Sequence, residues 1–167
     1  MQRHTIAGLV VFVAAAAGFT GVLCGVWLAD GPATPAAASR SSLHAIDVLH
    51  AWDRRRARAY AAGDARGLRD LYVSGSTAGV RDVRLLMQYA GRGFRVEEMR
   101  MQVLAVDVIV RRPDLLRLEV TDRLHDAVAA RDGLRVTLPR DQASTREITL
   151  VRSGDGTWRV ESVLSQR

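Results

Sequence analysis

One acidic side chain interrupts an apolar strand pattern and is the leading candidate for chemistry. In residues 116–124, alternate positions form one face that is apolar except for Asp122. Burial raises the pKa of a carboxyl group into the range useful to a general acid or base. Asp122 is therefore a candidate acid or base. The structural alternatives are an ion pair with an Arg from a helix and the capping of a nearby backbone group. Asp107 lies opposite Val106 and Val108 in the alternation and is predicted to face solvent.

Two further side chains are weak candidates to assist Asp122. His50 falls at the edge of a predicted helix stripe and would reach Asp122 as an oriented base if that helix packed over the strand. Tyr60 falls on the same helix. Aromatic walls with few polar groups are typical of sites for apolar ligands, although the same residues also serve as core. The candidate pocket residues are Trp52, Tyr60, Tyr89, Asp122 and Trp158.

Motifs for metals, cofactors and covalent catalysis are missing from the sequence. Neither His44 with Asp47 nor His125 with Asp126 has the spacing of HxxxH or HExxH. No GxxxxGK[ST], GxGxxG or GxSxG occurs, and Cys24 is the single cysteine. We therefore predict no metal site, no cofactor and no covalent nucleophile.

The chain has a net positive charge, but its basic residues are not gathered in one segment. All 24 basic residues are Arg, which gives a net charge of +6 against 18 acidic residues. The two signs alternate along the chain, so we predict no nucleic-acid partner. The densest cluster, Arg54–Arg56 with Arg58, would suit anionic headgroups or would simply form a solvated helix face.

An uncharged run near the N-terminus predicts a membrane anchor. Residues 6–29 carry no formal charge and would form a helix about 36 Å long, against a hydrocarbon core of about 30 Å. Arg3 precedes the run and Asp30 follows it, so the positive-inside bias keeps residues 1–5 in the cytoplasm. The prediction is a single-pass protein of the cell membrane with its C-terminal domain outside.

The remainder divides into a linker and one domain. Residues 30–42 contain two prolines and many small residues, which predicts a flexible linker. Cleavage of a signal peptide after residues 36–38 is the alternative to a retained anchor. Residues 43–167 form the predicted extracytoplasmic domain.

The first half of that domain is predicted to be helical. One helix starts near Ser42 as its N-cap and ends at Gly63, and Asp64 caps a short second helix. A third helix precedes Gly91. Its predicted core-facing stripe consists of Val80, Val83, Met87 and Ala90.

The second half alternates with a period of two and is predicted to be a curved antiparallel sheet. After Phe94 the apolar face switches sides near Val103, which a β-bulge there would explain. A turn follows at residues 111–114, then a strand to about residue 124, a short strand at 135–138 and a hairpin with its turn at 153–156. Three helices before such a sheet predict an α+β fold in which the helices cover the concave face.

Three features of this domain resemble the nuclear transport factor 2-like superfamily, which includes SnoaL-like and ketosteroid-isomerase-like proteins. They are the long first helix with Trp52 and Tyr60, the segment AAGDARGLRDLY at 61–72 and the segment DGTWRVESV at 155–163. The resemblance implies a cone whose interior is a ligand pocket or plain core. Enzymes of the superfamily place acidic, His or Tyr side chains inside the cone, whereas the inner faces predicted here are mainly apolar.

Together these features predict a non-catalytic, membrane-anchored binding or assembly module, such as an accessory subunit of an envelope or transport complex. The expected partners are the membrane, another protein or a second copy paired through outward residues such as Val163, and an apolar small molecule. The rival hypotheses are a small isomerase, cyclase or hydrolase with Asp122 as acid or base, and a carrier of an apolar ligand.

Overall fold

The computed structural model describes the backbone of residues 35–165 and the side chains of residues 43–165. The predicted anchor at 6–29 and the predicted cytoplasmic residues 1–5 lie outside the described residues. Within the part that is described, no helix combines the length and hydropathy needed to cross a bilayer.

Within residues 35–165, three helices precede five strands. In chain order the elements are α1 (Pro35–Ala62), α2 (Ala65–Arg69), α3 (Thr77–Ala90), β1 (Arg95–Arg111), β2 (Leu115–Arg131), β3 (Leu134–Thr137), β4 (Ser144–Arg152) and β5 (Trp158–Ser165). This order confirms the predicted α+β class, with helices packed on an antiparallel sheet.

Helix α1 begins earlier than its sequence pattern predicts. It starts at Pro35 rather than near Ser42, so residues 35–42 of the predicted linker are helical. Proline is favoured in the first turn of a helix, and the alanines after it have the highest helix propensity. The helix ends where predicted, at Gly63, whose φ of +68° a residue with a side chain rarely adopts.

Helix α3 buries a different face from the one predicted. Ser76 caps it by accepting a hydrogen bond from the Gly79 backbone, but the stripe containing Val80 and Met87 is exposed. The buried positions are Gly79, Asp82, Leu86 and Tyr89. The buried stripe is therefore shifted by one residue along the sequence relative to the predicted stripe. The shift occurs because a charged side chain, Asp82, has partners inside the domain.

The four long strands form one antiparallel sheet in the order β1-β2-β4-β5, and β3 pairs with the C-terminal half of β2. The inner face of β2 is the centre of the core, since Leu118 and Val120 are fully buried. A two-residue turn, Asp132-Gly133, joins β2 to β3, and both residues have positive φ, as a type I′ turn requires.

A β-bulge in β1 confirms the predicted switch of faces. Val103 pairs with Asp122 and Ala105 pairs with Thr121, so Leu104 is the extra residue. Leu104 is therefore left exposed, whereas Val106 and Val108 continue the face that packs against the core.

A second bulge, in β5, overturns the expectation that Val163 points outward. Thr149 pairs with Ser162 and Leu150 pairs with Val160, which makes Glu161 the extra residue. Val163 is consequently paired with Ile148 and packs against the core. The simple alternation fails because a bulge exchanges the two faces beyond it.

The two leucines Leu118 and Leu104 provide a matched test of this packing. Leu118→Ala removes a fully buried side chain and is expected to lower the free energy of unfolding by about 3 kcal/mol. Leu104→Ala at the bulge is expected to change it by less than about 1 kcal/mol. Urea unfolding of both variants measures the difference, and equal losses would contradict the assigned bulge.

Candidate functional site

Helix α1 carries three polar side chains toward the interior. Asp53, Arg56 and Tyr60 are spaced three and four residues apart and therefore share one face of the helix. Arg56 and Asp53 are half-buried and Tyr60 is fully buried. The space between α1 and the sheet is thus partly polar, although its predicted lining is mainly apolar.

Arg56 and Asp82 form a buried ion pair that joins α1 to α3. The guanidinium binds both carboxylate oxygens, with Nε 2.7 Å from Oδ2 and Nη2 2.5 Å from Oδ1. The hydroxyls of Tyr60 and Tyr72 each donate to the same carboxylate at 2.7 Å. We call these four residues the Asp82 network. Four charge-assisted hydrogen bonds leave the carboxylate well satisfied.

The pKa shifts in the Asp82 network indicate a structural role. Burial alone would raise the pKa of Asp82, but the Arg56 charge and the hydrogen bonds lower it below its usual value. Burial, reinforced by the Asp82 charge, raises the pKa values of Tyr60 and Tyr72. The carboxylate therefore stays ionised and the two phenols stay protonated, so the network holds no group ready to exchange a proton near neutral pH.

Asp122 is buried as predicted and is paired with an arginine. Only 3% of it is exposed. Nη2 of Arg146 donates to Oδ1 at 2.6 Å and also to Oδ2. This arginine comes from strand β4 and not from a helix, which is the part of the expectation that was wrong. Nε of Arg146 is buried and has no hydrogen-bond partner among the described residues.

Asp53 is the interior group with an unusual protonation equilibrium. Its pKa is raised from 3.8 to about 6, chiefly by burial and also by the Asp122 charge, against the lowering effect of Arg56 and Arg146. No side chain in the described part of the chain donates a hydrogen bond to it. Asp53 therefore lies between two ion pairs and can gain or lose a proton near pH 6.

His50 does not take the role expected of it. It is exposed and makes no hydrogen bond to Asp122. Asp53, which follows it by almost one helical turn, interacts with Asp122 instead. Nothing in the sequence distinguishes Asp53, because an acidic residue next to Arg54 and Arg55 is normally exposed.

The predicted aromatic pocket divides into separate places. Tyr60 belongs to the Asp82 network, and Tyr89 is buried near the end of α3. Trp52 and Trp158 line a half-open groove of about 350 Å³, together with His44, Asp47, Val48, Ala51, Arg55 and Thr157. We call this the indole groove. Asp122 does not line it.

The candidate metal ligands are likewise scattered. Nε2 of His125 lies 3.7 Å from Oδ2 of Asp126, whose neighbours are Arg100 and Arg140. His44 lines the indole groove. Residues 43–165 contain no group of three or more His, Cys, Asp or Glu side chains with the geometry to hold a metal ion.

The Asp82 network was missed by sequence reasoning. Its one signal in the sequence is the spacing of Gly79, Asp82, Leu86 and Tyr89, which is as helical as that of Val80, Val83, Met87 and Ala90. A buried face at the first four positions requires a buried aspartate. Such burial needs partners, and nothing in a single sequence pairs Asp82 with Arg56 or Tyr72.

Removing Asp82 tests the structural role of the network. Asp82→Ala leaves Arg56 buried without its partner and is expected to lower the free energy of unfolding by about 3 kcal/mol or more. Asp126→Ala, which breaks the exposed pair with Arg100, is expected to cost much less. Denaturant titration compares the two variants, and a loss at Asp82 no larger than at Asp126 would contradict the assignment.

The raised pKa of Asp53 predicts a specific pH dependence. The folded state binds the Asp53 proton more tightly than the unfolded state does. The stability that protonated Asp53 contributes is therefore fully present below the usual pKa of 3.8 and is lost as the pH rises through about 6. Asp53→Asn is therefore expected to be more stable than the natural protein at pH 7, by on the order of 2 kcal/mol, with a much smaller gap at pH 4.

Unfolding curves collected from pH 4 to 7 measure this difference. The control is Asp107→Asn, since Asp107 is exposed on strand β1 as predicted. A stability difference for Asp53→Asn that does not change with pH would refute the expectation.

Comparisons with known proteins bear on the fold alone. No family model and no curated protein matches the sequence. A solved structure from Catenulispora acidiphila has a TM-score of 0.50 at 16% identity, covering 77% of this chain and 93% of that one. Aln2 from a Streptomyces species has a TM-score of 0.49 at 16% identity, with coverages of 74% and 90%.

A third solved structure is an NTF2-like protein of unknown function in nutrient uptake from Rhodospirillum rubrum. Its TM-score is 0.43 at 15% identity, with coverages of 71% of this chain and 96% of that one. The helices, the sheet order and the likeness to the Catenulispora structure agree with the sequence resemblance. The described domain therefore has the cone-shaped fold of the nuclear transport factor 2-like superfamily.

Proposed function

We propose that the protein is a non-catalytic binding or assembly module, held by residues 6–29 in the cell membrane with its folded domain outside. The observation that carries the proposal is the pairing of the two most buried acids. Asp122 is bound by Arg146, and Asp82 is bound by Arg56 and two tyrosines. Carboxylates whose oxygens are bound by arginine and tyrosine side chains of the same domain are typical of structural ion pairs.

An apolar face of α3 supports a protein partner. Val80 and Met87 are 53% and 55% exposed, and they lie two turns apart on the same side of the helix. Single exposed apolar residues are common, but a helical stripe of them usually marks a contact surface. Val83, between them, is partly buried and packs against the core. We therefore infer that the partner contact is centred on Val80 and Met87.

Cross-linking in the native membrane tests this function. We expect the full-length protein to be recovered with a stoichiometric partner, and we expect Met87→Glu to abolish that recovery because it places a charge in an apolar contact. Gln88→Glu adds the same charge at the neighbouring exposed position and is expected to leave recovery intact. Recovery of the protein alone, or equal loss with both variants, would overturn the proposal.

One observation favours a small enzyme as the second candidate. Asp53 has a pKa of about 6 and lies close enough to Asp122 and Arg146 to interact with their charges. A half-buried carboxyl group that titrates near neutral pH is suited to proton transfer of the kind that isomerases, cyclases and hydrolases perform. In this case Asp53 acts as the acid or base, and Asp122 with Arg146 positions it.

The two candidates respond differently to changes at the acids. If the protein is an enzyme, Asp53→Asn and Asp122→Asn both reduce turnover at least about a hundredfold, the usual contribution of a general acid or base. If it is an assembly module, both variants keep the cross-linked partner. Because Asp53→Asn is expected to fold stably, loss of the partner in that variant would count against the module.

A further inference from the structure

The indole groove lies along a face of α1 that is separate from both the Asp82 network and the α3 stripe. Its helical residues are His44, Asp47, Val48, Ala51, Trp52 and Arg55. Their spacing of three and four residues makes a continuous face. Thr157 and Trp158, at the start of β5, form the opposite wall. A volume of about 350 Å³ is sufficient for a small ligand.

The floor of the groove is held in a fixed orientation. The indole N–H of Trp52 donates to the Leu71 carbonyl at 3.0 Å, and its ring meets that of Tyr72 edge-on, with centroids 5.5 Å apart. Trp52 is only 9% exposed, and Val48 beside it is also buried. The groove therefore offers a preorganised apolar surface, which lowers the entropic cost of binding a flat ligand.

Arg55 is a cation available to a ligand. It is half-buried and lines the groove. By contrast, Arg56 binds Asp82 and Arg159 binds Asp155. Arg55 enters no ion pair or hydrogen bond with the described residues. A guanidinium next to aromatic surface is well suited to binding a planar carboxylate.

The other end of the groove carries the opposite charge. Asp47 precedes Arg55 by eight residues, which places it about 12 Å away along the helix axis. It is exposed and has no salt bridge among the residues that the structure describes. Its charge repels a second anionic group at that end. The groove therefore favours a ligand with a single carboxylate.

We propose that the indole groove binds a small, planar aromatic monocarboxylate. The carboxylate pairs with the Arg55 guanidinium and the ring lies against Trp158 and Trp52. Asp47 discriminates against dicarboxylates. This binding site does not depend on the assembly function proposed above, because neither Val80 nor Met87 lines it.

Calorimetric titration of the full-length protein in phosphatidylcholine nanodiscs with 2-naphthoate tests the proposal. We expect saturable binding with one site per chain. Two other probes are expected to bind about tenfold more weakly than 2-naphthoate. The uncharged 2-naphthamide lacks the negative charge that pairs with Arg55, and the second carboxylate of 2,6-naphthalenedicarboxylate is repelled by Asp47. Absence of saturable binding, or equal affinity for all three probes, would overturn it.

Matched variants assign the effects to individual residues. Arg55→Gln is expected to weaken 2-naphthoate about tenfold and to leave 2-naphthamide unchanged. Arg58→Gln removes the same charge from an exposed position of α1 outside the groove and is expected to have little effect. Trp158→Leu is expected to weaken both of these probes about fivefold. Equal weakening by Arg55→Gln and Arg58→Gln would show non-specific attraction and refute the site.

A variant that is expected to bind one probe more tightly separates a specific effect on binding from misfolding. Asp47→Asn removes the repulsive charge and is expected to improve binding of 2,6-naphthalenedicarboxylate about fivefold, with 2-naphthoate little changed. A misfolded variant does not gain affinity. If Asp47→Asn leaves the preference for the monocarboxylate unaltered, the assigned orientation of the ligand is wrong.

Discussion

The bidentate pair between Arg56 and Asp82 is the interaction on which the helical layer depends. It joins the middle of α1 to the first turns of α3, and Tyr72 extends the connection to the segment after α2. Tyr72 in turn forms a bridge with Val160 of β5 and packs against Trp52. One carboxylate therefore fixes the positions of the helices relative to each other and to one edge of the sheet. Its four donors explain why a charged group is buried here.

Periodicity was sufficient to predict the order and type of the elements, because each element either buries one face or ends at a clear turn. Gly63 and Asp64 end and begin helices where expected. The bulge at Leu104 was also predictable, since apolar residues change faces there. The bulge at Glu161 was not, because Trp158 to Leu164 alternates plausibly in either register. Strand β2 runs past its predicted end near residue 124 to the Asp132-Gly133 turn, which is itself a hairpin signal in the sequence.

The candidate sites were less predictable than the fold, for a physical reason. Asp122 was found because it breaks an apolar pattern on its own strand. Its partner Arg146 and its neighbour Asp53 come from elements distant in sequence, and the chain has many arginines that suit either place. Where one residue type supplies every positive charge, composition cannot indicate which guanidinium is buried in the core, which lines a groove and which is solvated.

The bulges at Leu104 and Glu161 also affect the outer strands of the sheet. Strands β1 and β5 are the outer strands of the sheet order, so each has backbone groups that no neighbouring strand of the sheet binds, although Val160 of β5 bonds to Leu71 and Val73. The extra residues Leu104 and Glu161 interrupt the regular spacing of those groups. An interrupted edge is a poor template for another strand and resists open-ended stacking into fibrils. The irregularities that shape the interior thus also protect the domain from aggregation at high local concentration.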